Sequence, residues 1–228
     1  MRLLQLISKK LVILDLDGPI LDGKLRHHKC YTDIISEYGY TPLPIETYWA
    51  MKRSRKSRKE QLSCSGAEGI YDQFLDKWLK CIESPEYLQL DRVQNGALEQ
   101  IITWSKVGIR VVVVTMRSSR TQLISQLEST GVLPYLDAVI DSRHTTGGHG
   151  KGTALLREIP NIDPKTSLWV GDTEVDLEAA RHISCPICLL SCGLRTKKYL
   201  GSLNPDFLYK MLTDINLGTL MNHAHSPP

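Results

Sequence analysis

Long apolar runs are missing from this chain. Nowhere in its 228 residues is there a stretch approaching the roughly 20 apolar residues of a membrane-spanning helix, so no membrane span is expected. Charge of one sign is also missing. Twenty-eight Lys and Arg stand against 25 Asp and Glu, a net charge of +3, too little by itself to argue for nucleic acid as a partner. Aromatic residues make up only 7%, and few accompany the one basic run, so a stacking surface for single strands is not expected. Cys185-x-x-Cys188 lacks a second CxxC or HxxxH half, which argues against a structural zinc site. The six cysteines (Cys30, Cys64, Cys81, Cys185, Cys188, Cys192) therefore read as free thiols in a reducing compartment. MRLLQLISKK is too short and too interrupted for a signal peptide, and a cytoplasmic location is expected. No internal repeat is present.

What is there begins with Leu11-Val12-Ile13-Leu14-Asp15-Leu16-Asp17-Gly18. Four apolar residues read as a buried strand of a parallel sheet. Two carboxylates at its end are not casual, because an unpaired buried acid is costly. Strand ends of this kind are where open α/β sheets bind ligands. A second stretch answers the first: Ser167–Val170 runs into Gly171-Asp172-Thr173-Glu174-Val175-Asp176. Two strands thus deliver acids to one sheet edge, as a hard cation such as Mg²⁺ requires.

Between these lie further strands, Ile109–Val114 and Ala138–Ile140, with helices expected from Asn95 to Gly108, from Ser119 to Gly131, and from about Lys151 to Glu158. A helix near Glu174–Ile183 and a strand around Pro186–Leu190 follow. This βαβ alternation predicts a Rossmann-like three-layer core with a parallel sheet. The alternation breaks between Asp22 and Asp91, where only helical patterns appear: His28–Tyr38, Ile45–Arg58 and Ile70–Ile82. The expected organisation is a catalytic core of residues 1–21 and 92–228 with an inserted α-helical cap domain, residues 22–91, over the site. Hinges are expected near Leu21–Lys24 and Leu90–Val93. Pro205–Leu220 reads as a strand and a closing helix, and Asn222–Pro228 as a frayed end.

The chemistry follows from the acids. Asp15, as a nucleophile, would attack a phosphate ester and form an aspartyl-phosphate. A cation held by Asp15 and Asp172 would relieve the repulsion between the anions. Asp17 would share Asp15's face in a regular strand. If the strand ends at Asp15, Asp17 would instead approach from the leaving-group side as acid and then base. Thr115, at the end of the valine strand, and the amides after it can hold phosphate oxygen. Lys151, following a glycine loop and opening a helix, can neutralise both phosphate and Asp15. Asp176 is either a supporting acid or a helix-surface one. His144 and His149, in the loop before Lys151, are expected to face water.

Together these elements resemble the haloacid dehalogenase superfamily, in its phosphoglycolate phosphatase and β-phosphoglucomutase branch with a helical cap. The matching residues are Asp15-Leu16-Asp17-Gly18, Thr115, Lys151 and Gly171-Asp172-x-x-x-Asp176. The resemblance implies a Mg²⁺-dependent phosphoric monoester hydrolase acting on a small phosphorylated metabolite. It implies that Asp15 is the nucleophile and Asp17 the acid/base. It further implies phosphate held by Thr115, the backbone at Met116, and Lys151, and Mg²⁺ held by Asp15, the backbone carbonyl of Asp17, and Asp172, with Asp176 in support. Three positions depart from the pattern: Pro19 after Gly18, Met116 where asparagine is frequent, and Gly152 where proline is common after the lysine. The presence of Asp17 favours phosphate chemistry over dehalogenation. A phosphosugar mutase using the same aspartyl-phosphate, and a non-catalytic binding protein on the same fold, are the alternatives.

Six basic residues fall between Lys52 and Lys59. If helical, they spread over a little more than half the circumference at about 100° per residue. They read either as a solvated face or as a surface that meets a second anionic group of the substrate.

Overall fold

The computed structural model describes residues 10–142 and 146–218. His144 lies outside them, as do the frayed end expected at Asn222–Pro228 and the last part of the expected closing helix.

The elements in chain order are β1 (Leu11–Leu14), β2 (Leu21–Asp22), α1 (Lys24–Glu37), α2 (Ile45–Arg53), α3 (Arg58–Ser63), α4 (Tyr71–Cys81), α5 (Pro85–Leu88), β3 (Arg92–Val93), α6 (Ala97–Lys106), β4 (Arg110–Thr115), α7 (Arg120–Ser129), β5 (Ala138–Asp141), α8 (Gly147–Glu158), β6 (Ser167–Gly171), α9 (Glu174–His182), β7 (Ile187–Leu190), α10 (Lys197–Ser202) and β8 (Phe207–Tyr209). Six strands form one parallel sheet in the order β5-β4-β1-β6-β7-β8. After β1 the chain builds outward through β4 and β5, then returns to the other side of β1 for β6, β7 and β8. The strand order therefore reverses around β1, the place where a crevice opens at the carboxyl edge.

The central strands are buried on both faces, which explains their unbroken apolar sequence. Alternate residues serve opposite layers. Val12, Leu14, Val111, Val113, Leu168 and Val170 pack with Ile101 and Trp104 of α6 and Leu123 and Leu127 of α7. Leu11, Ile13, Val112, Val114, Trp169 and Leu189 pack with Leu155 of α8 and Ala179 and Ala180 of α9. A third apolar cluster lies wholly within α1–α5 and their connections. It includes Tyr31, Ile35, Tyr48, Leu62, Phe74 and Trp78, with the Tyr31 and Tyr48 rings stacked at 4.5 Å. Leu21 and Asp22 pair antiparallel with Val93 and Arg92, so the chain leaves for these helices and returns from them side by side. No helix among the described residues is long and apolar enough to cross a membrane.

Three local expectations are corrected. The helix expected over Ile45–Arg58 stops at Arg53. Arg55 adopts a left-handed conformation, φ 61°, and Ser57 starts a new helix by a reciprocal cap with Glu60. The basic run is thus split across two helices and a turn rather than wrapped around one. The helix after Asn95 is capped by Gly96 at φ 73°, without a side-chain bond from Asn95. Finally, α8 begins at Gly147, so Lys151 sits one turn inside it. Within it, position 148 has room only for glycine because α8 presses on α9 there: a Cβ would overlap Glu178 and the Val175 carbonyl.

Candidate active site

The carboxyl ends of β1, β4 and β6 converge beneath the helical unit. β1 ends at Leu14, so Asp15 stands just past the strand, its N–H donating to the Val170 carbonyl at 2.9 Å. The chain then turns tightly: the Gly18 N–H donates to the Leu21 carbonyl, and the Ile20 and Leu21 N–H groups donate to the Leu16 carbonyl. None of these bonds needs an N–H at residue 19, which is how Pro19 is accommodated. Gly18 has φ 105°, and a Cβ there would collide with the Asp172 carboxylate.

Lys151, 2% exposed, reaches up from α8 between two acids. Its Nζ lies 2.8 Å from Asp15 Oδ1 and 2.7 Å from Asp176 Oδ1. Burial alone would lower its pKa, but Asp15 and Asp176 outweigh burial and hold the ammonium charged. Asp176 is fully engaged. Its Oδ1 also accepts from Trp169 Nε1 at 3.4 Å, and its Oδ2 accepts from the Asp172 and Thr173 N–H groups at 3.1 Å and the Thr173 hydroxyl at 2.8 Å. It is therefore no surface acid: it anchors Lys151 and the turn that presents Asp172.

Asp15, Asp172 and Asp176 each offer a carboxylate oxygen within 4.8 Å of the others. Burial, then Asp176 and Asp15, push Asp172 well above the usual carboxylate range. Burial also raises Asp15, against the pull of Lys151. Oδ2 of Asp172 accepts from the Leu194 N–H, while Oδ1 is buried and has no hydrogen-bond partner among the described residues. An orphaned carboxylate oxygen among like charges fits an oxygen-seeking divalent cation, whose charge would reverse that crowding.

Asp17 has a different environment. Arg117 grips it with Nε on Oδ2 and Nη2 on Oδ1, both at 2.8 Å, and Arg26 Nη2 reaches Oδ1 at 2.6 Å. Both arginines also bond Asp91, at 2.8 Å from Arg26 and 3.1 Å from Arg117. Gln126 of α7 completes this group with a bond to Asp91 at 2.9 Å. Burial would raise the pKa of Asp17, but Arg117 and Arg26 overcome it and hold the carboxyl at about 2.

Thr115 is buried at the end of β4 and Met116 is exposed. Both line a cleft of about 380 Å³ together with Asp15, Asp17, Lys151, His27, Arg58 and Trp78. The helical unit is tied over this cleft on two sides. Arg53 donates to the Ser191 and Arg195 carbonyls, and Arg55 bonds the Tyr199 hydroxyl and Glu174. Across the cleft, Glu83 accepts from the Ser118 and Ser119 N–H groups at the start of α7. Part of the basic run thus docks onto the sheet domain's loops, while Lys56 pairs with Glu60 at the surface.

A protein-family model for haloacid dehalogenase-like hydrolases matches residues 9–183. The chain belongs to that family. Among relatives of this hydrolase, the phosphoglycolate phosphatase of Thiobacillus denitrificans is 22% identical over 218 residues, which are 91% of this chain and 94% of that one. The phosphoglycolate phosphatase of Escherichia coli K12 is 29% identical over 91 residues, 39% of this chain; the match spans only 36% of that relative's length. Among solved structures, a haloacid dehalogenase-like family protein of Streptococcus pneumoniae superposes with a TM-score of 0.75 at 13% identity, covering 91% of this chain and 96% of the other. A subfamily IA hydrolase of the superfamily from Geobacter sulfurreducens gives 0.68 at 20% identity, with 93% and 96% covered. These likenesses show the same fold in each.

The sequence pointed to Asp15, Asp17, Thr115, Met116, Lys151, Asp172 and Asp176, and all seven lie around this one edge of the hydrolase. It did not point to Arg26, Asp91 or Arg117. Arg117 follows Thr115-Met116 directly and was open to notice; Arg26 and Asp91 carry no local signal.

Proposed function

We propose that this hydrolase is a Mg²⁺-dependent phosphatase acting on a small phosphorylated metabolite through an aspartyl-phosphate on Asp15. The observation that carries the reading is the Asp15–Lys151–Asp176 arrangement beside the orphaned oxygen of Asp172. Asp15 and Asp172, with the Asp17 backbone carbonyl as the resemblance implies, are the groups that would hold Mg²⁺. When bound, the ion neutralises charge on the phosphoryl oxygens and lets one anion approach another.

An Asp15 carboxylate oxygen attacks phosphorus as the ester P–O bond breaks, and the leaving alkoxide takes a proton. Lys151 holds a non-bridging phosphoryl oxygen and keeps Asp15 oriented. The Thr115 hydroxyl, at the end of β4, faces the same transferring group. A water then attacks phosphorus, giving up its proton and releasing phosphate and free Asp15. Asp17, ionised in its arginine grip, is suited to take the proton of that water. Its acid role in the first half requires the proton to be on Asp17, and hence the Arg117 and Arg26 contacts to loosen as substrate enters.

The cleft volume fits a metabolite rather than a folded protein. Arg58 lies on the cleft wall with its guanidinium 5.4 Å from the Trp78 ring. This supports a substrate with a second anionic group, and phosphoglycolate, named for the relatives above, is one such ester. The helices of residues 22–91 are the proposed cap. A cytoplasmic setting belongs to the same proposal, in keeping with six unpaired cysteines.

The test is phosphate release from a panel of small phosphate esters, phosphoglycolate included, with and without Mg²⁺, for wild type and Asp15→Asn. Release that needs both the ion and Asp15 supports the proposal, with a loss of about 10⁴-fold or more in the variant. Phosphoryl exchange between phosphosugars without net release would make it a mutase instead. Inactivity in both assays would leave a binding protein.

A further inference from the structure

Helices α8 and α9 approach closely because Gly148 and Gly152 face α9 without side chains; a Cβ at Gly152 would come within 3.0 Å of the Ala179 carbonyl. On the exposed rim of this junction, His149 of α8 and His182 of α9 meet. Their Nδ1 atoms are 3.2 Å apart, their ring centroids 4.7 Å apart, and their planes inclined by 54°. The other ring nitrogen of His182, Nε2, lies 3.2 Å from the Thr153 hydroxyl. With Nε2–H donating to that hydroxyl, the lone pair of His182 Nδ1 is left facing His149.

Two imidazole nitrogens bound at about 2.0–2.1 Å to one tetrahedral ion stand about 3.3 Å apart. The observed separation is close to that value. A ligating histidine usually has its second nitrogen held by a hydrogen bond that fixes the tautomer, and Thr153 supplies that contact here. Both rings are exposed, so water can complete the coordination. The donor set is nitrogen only, unlike the all-carboxylate cluster at the cleft, and the two sites therefore suit different ions.

We propose that His149 and His182 form a second metal site, for a borderline divalent transition ion that prefers imidazole, such as Ni²⁺, Co²⁺ or Zn²⁺. The ion would tie α8 to α9. His149 is two residues from Lys151 and His182 six beyond Asp176, so the tie joins the two helices that carry the Lys151–Asp176 pair. The proposal does not depend on the phosphatase reading, since binding is read without substrate.

The test is calorimetric titration with Ni²⁺ in excess Mg²⁺ and a non-chelating reductant. Wild type should bind one Ni²⁺ whose affinity falls about tenfold or more in His149→Gln and in His182→Gln, with Thr153→Val giving a smaller loss. Both histidines are exposed, so the variants should melt with wild type when no ion is added. An independent reading on unaltered protein is the imidazole NMR spectrum: substoichiometric Ni²⁺ should broaden the His149 and His182 signals first. Equal binding by the double variant would place the ion on the cysteines or the acid cluster and overturn the proposal. So would first broadening of other histidines, or no binding at all.

Discussion

Arg117 meets Asp17 side-on, two nitrogens to two oxygens, each at 2.8 Å. The pair joins the loop after β4 to the loop after β1, 100 residues earlier. Because Arg117 also holds Asp91 beside β3 and Arg26 of α1 holds both acids, three buried charges and the half-buried Asp17 connect two strand ends to the start and finish of the helical unit. Two positive and two negative groups close on themselves, which is how so many charges tolerate removal from water.

Arg117→Ala should therefore cost about 3–5 kcal/mol, because it strips Asp17 of its two-pronged partner and leaves Asp91 with one guanidinium. Urea unfolding measures this. A loss below about 1 kcal/mol, the range of exposed ion pairs, would mean the group adds nothing by its burial. Arg117→Lys keeps the charge but not the fork, and should recover only part of the loss.

Asp172→Asn tests the carboxylate cluster through metal removal. Without Mg²⁺, wild type carries three acids within 4.8 Å of one another, and neutralising one should stabilise the protein by about 1–2 kcal/mol, a few degrees in Tm. Mg²⁺ should raise the Tm of wild type and leave the variant unmoved. Equal responses in the two proteins would remove Asp172 from the ligand set.

Lys52 gives a pH prediction away from the acids. Burial, and then Arg58, Arg26 and Arg195, push its pKa down to about 7, against 10.5 for a free lysine; its ammonium lies 5.2 Å from the Trp78 ring. A base whose pKa is lower in the folded state weakens folding, fully below pH 7 and progressively less as pH rises to 10.5. Lys52→Met should thus stabilise the protein by about 1–3 kcal/mol at pH 6. The gain should shrink toward zero near pH 10.5 in unfolding curves taken across that range. A pH-independent gain would point to packing alone.

Gly18→Ala should be disproportionately harmful for a methyl group. It must adopt φ 105° and displace the Asp172 carboxylate. A loss of roughly 2 kcal/mol or more is expected, together with loss of Mg²⁺-dependent stabilisation. Gly39→Ala is the control: its φ is 82° but its Cβ would meet nothing within 4 Å. It should lose stability through backbone strain and keep the Mg²⁺ response.

The parallel sheet was legible because buried strands must be apolar and only their ends tolerate acids. Asp15, Asp172 and Lys151 stood out for that reason: each is a charge at the boundary of an apolar or glycine-rich stretch. The break at Arg53 was legible in part, since Ser57-Arg58-Lys59-Glu60 has the spacing of a reciprocal cap, but the left-handed Arg55 leaves no mark in sequence. Arg26 was hidden by its surroundings, Lys24-Leu25-Arg26-His27-His28-Lys29, where one more cation reads as solvated helix. Its partner Asp91 is 65 residues away. Pairings of that kind are made by the fold and have no local periodicity to betray them.

The two-residue pairing of β2 with β3 has a consequence for how the molecule assembles. Residues 24–91 begin and end at neighbouring points, so to the rest of the chain they are one long loop whose ends are already joined. Lengthening such a loop adds little closure entropy, about 0.6 kcal/mol for each doubling. The sheet can thus accept many sizes of insert at this position without being rebuilt. Replacing residues 24–91 by a short turn should leave β1, β4 and β6 in register while removing the roof above Asp15.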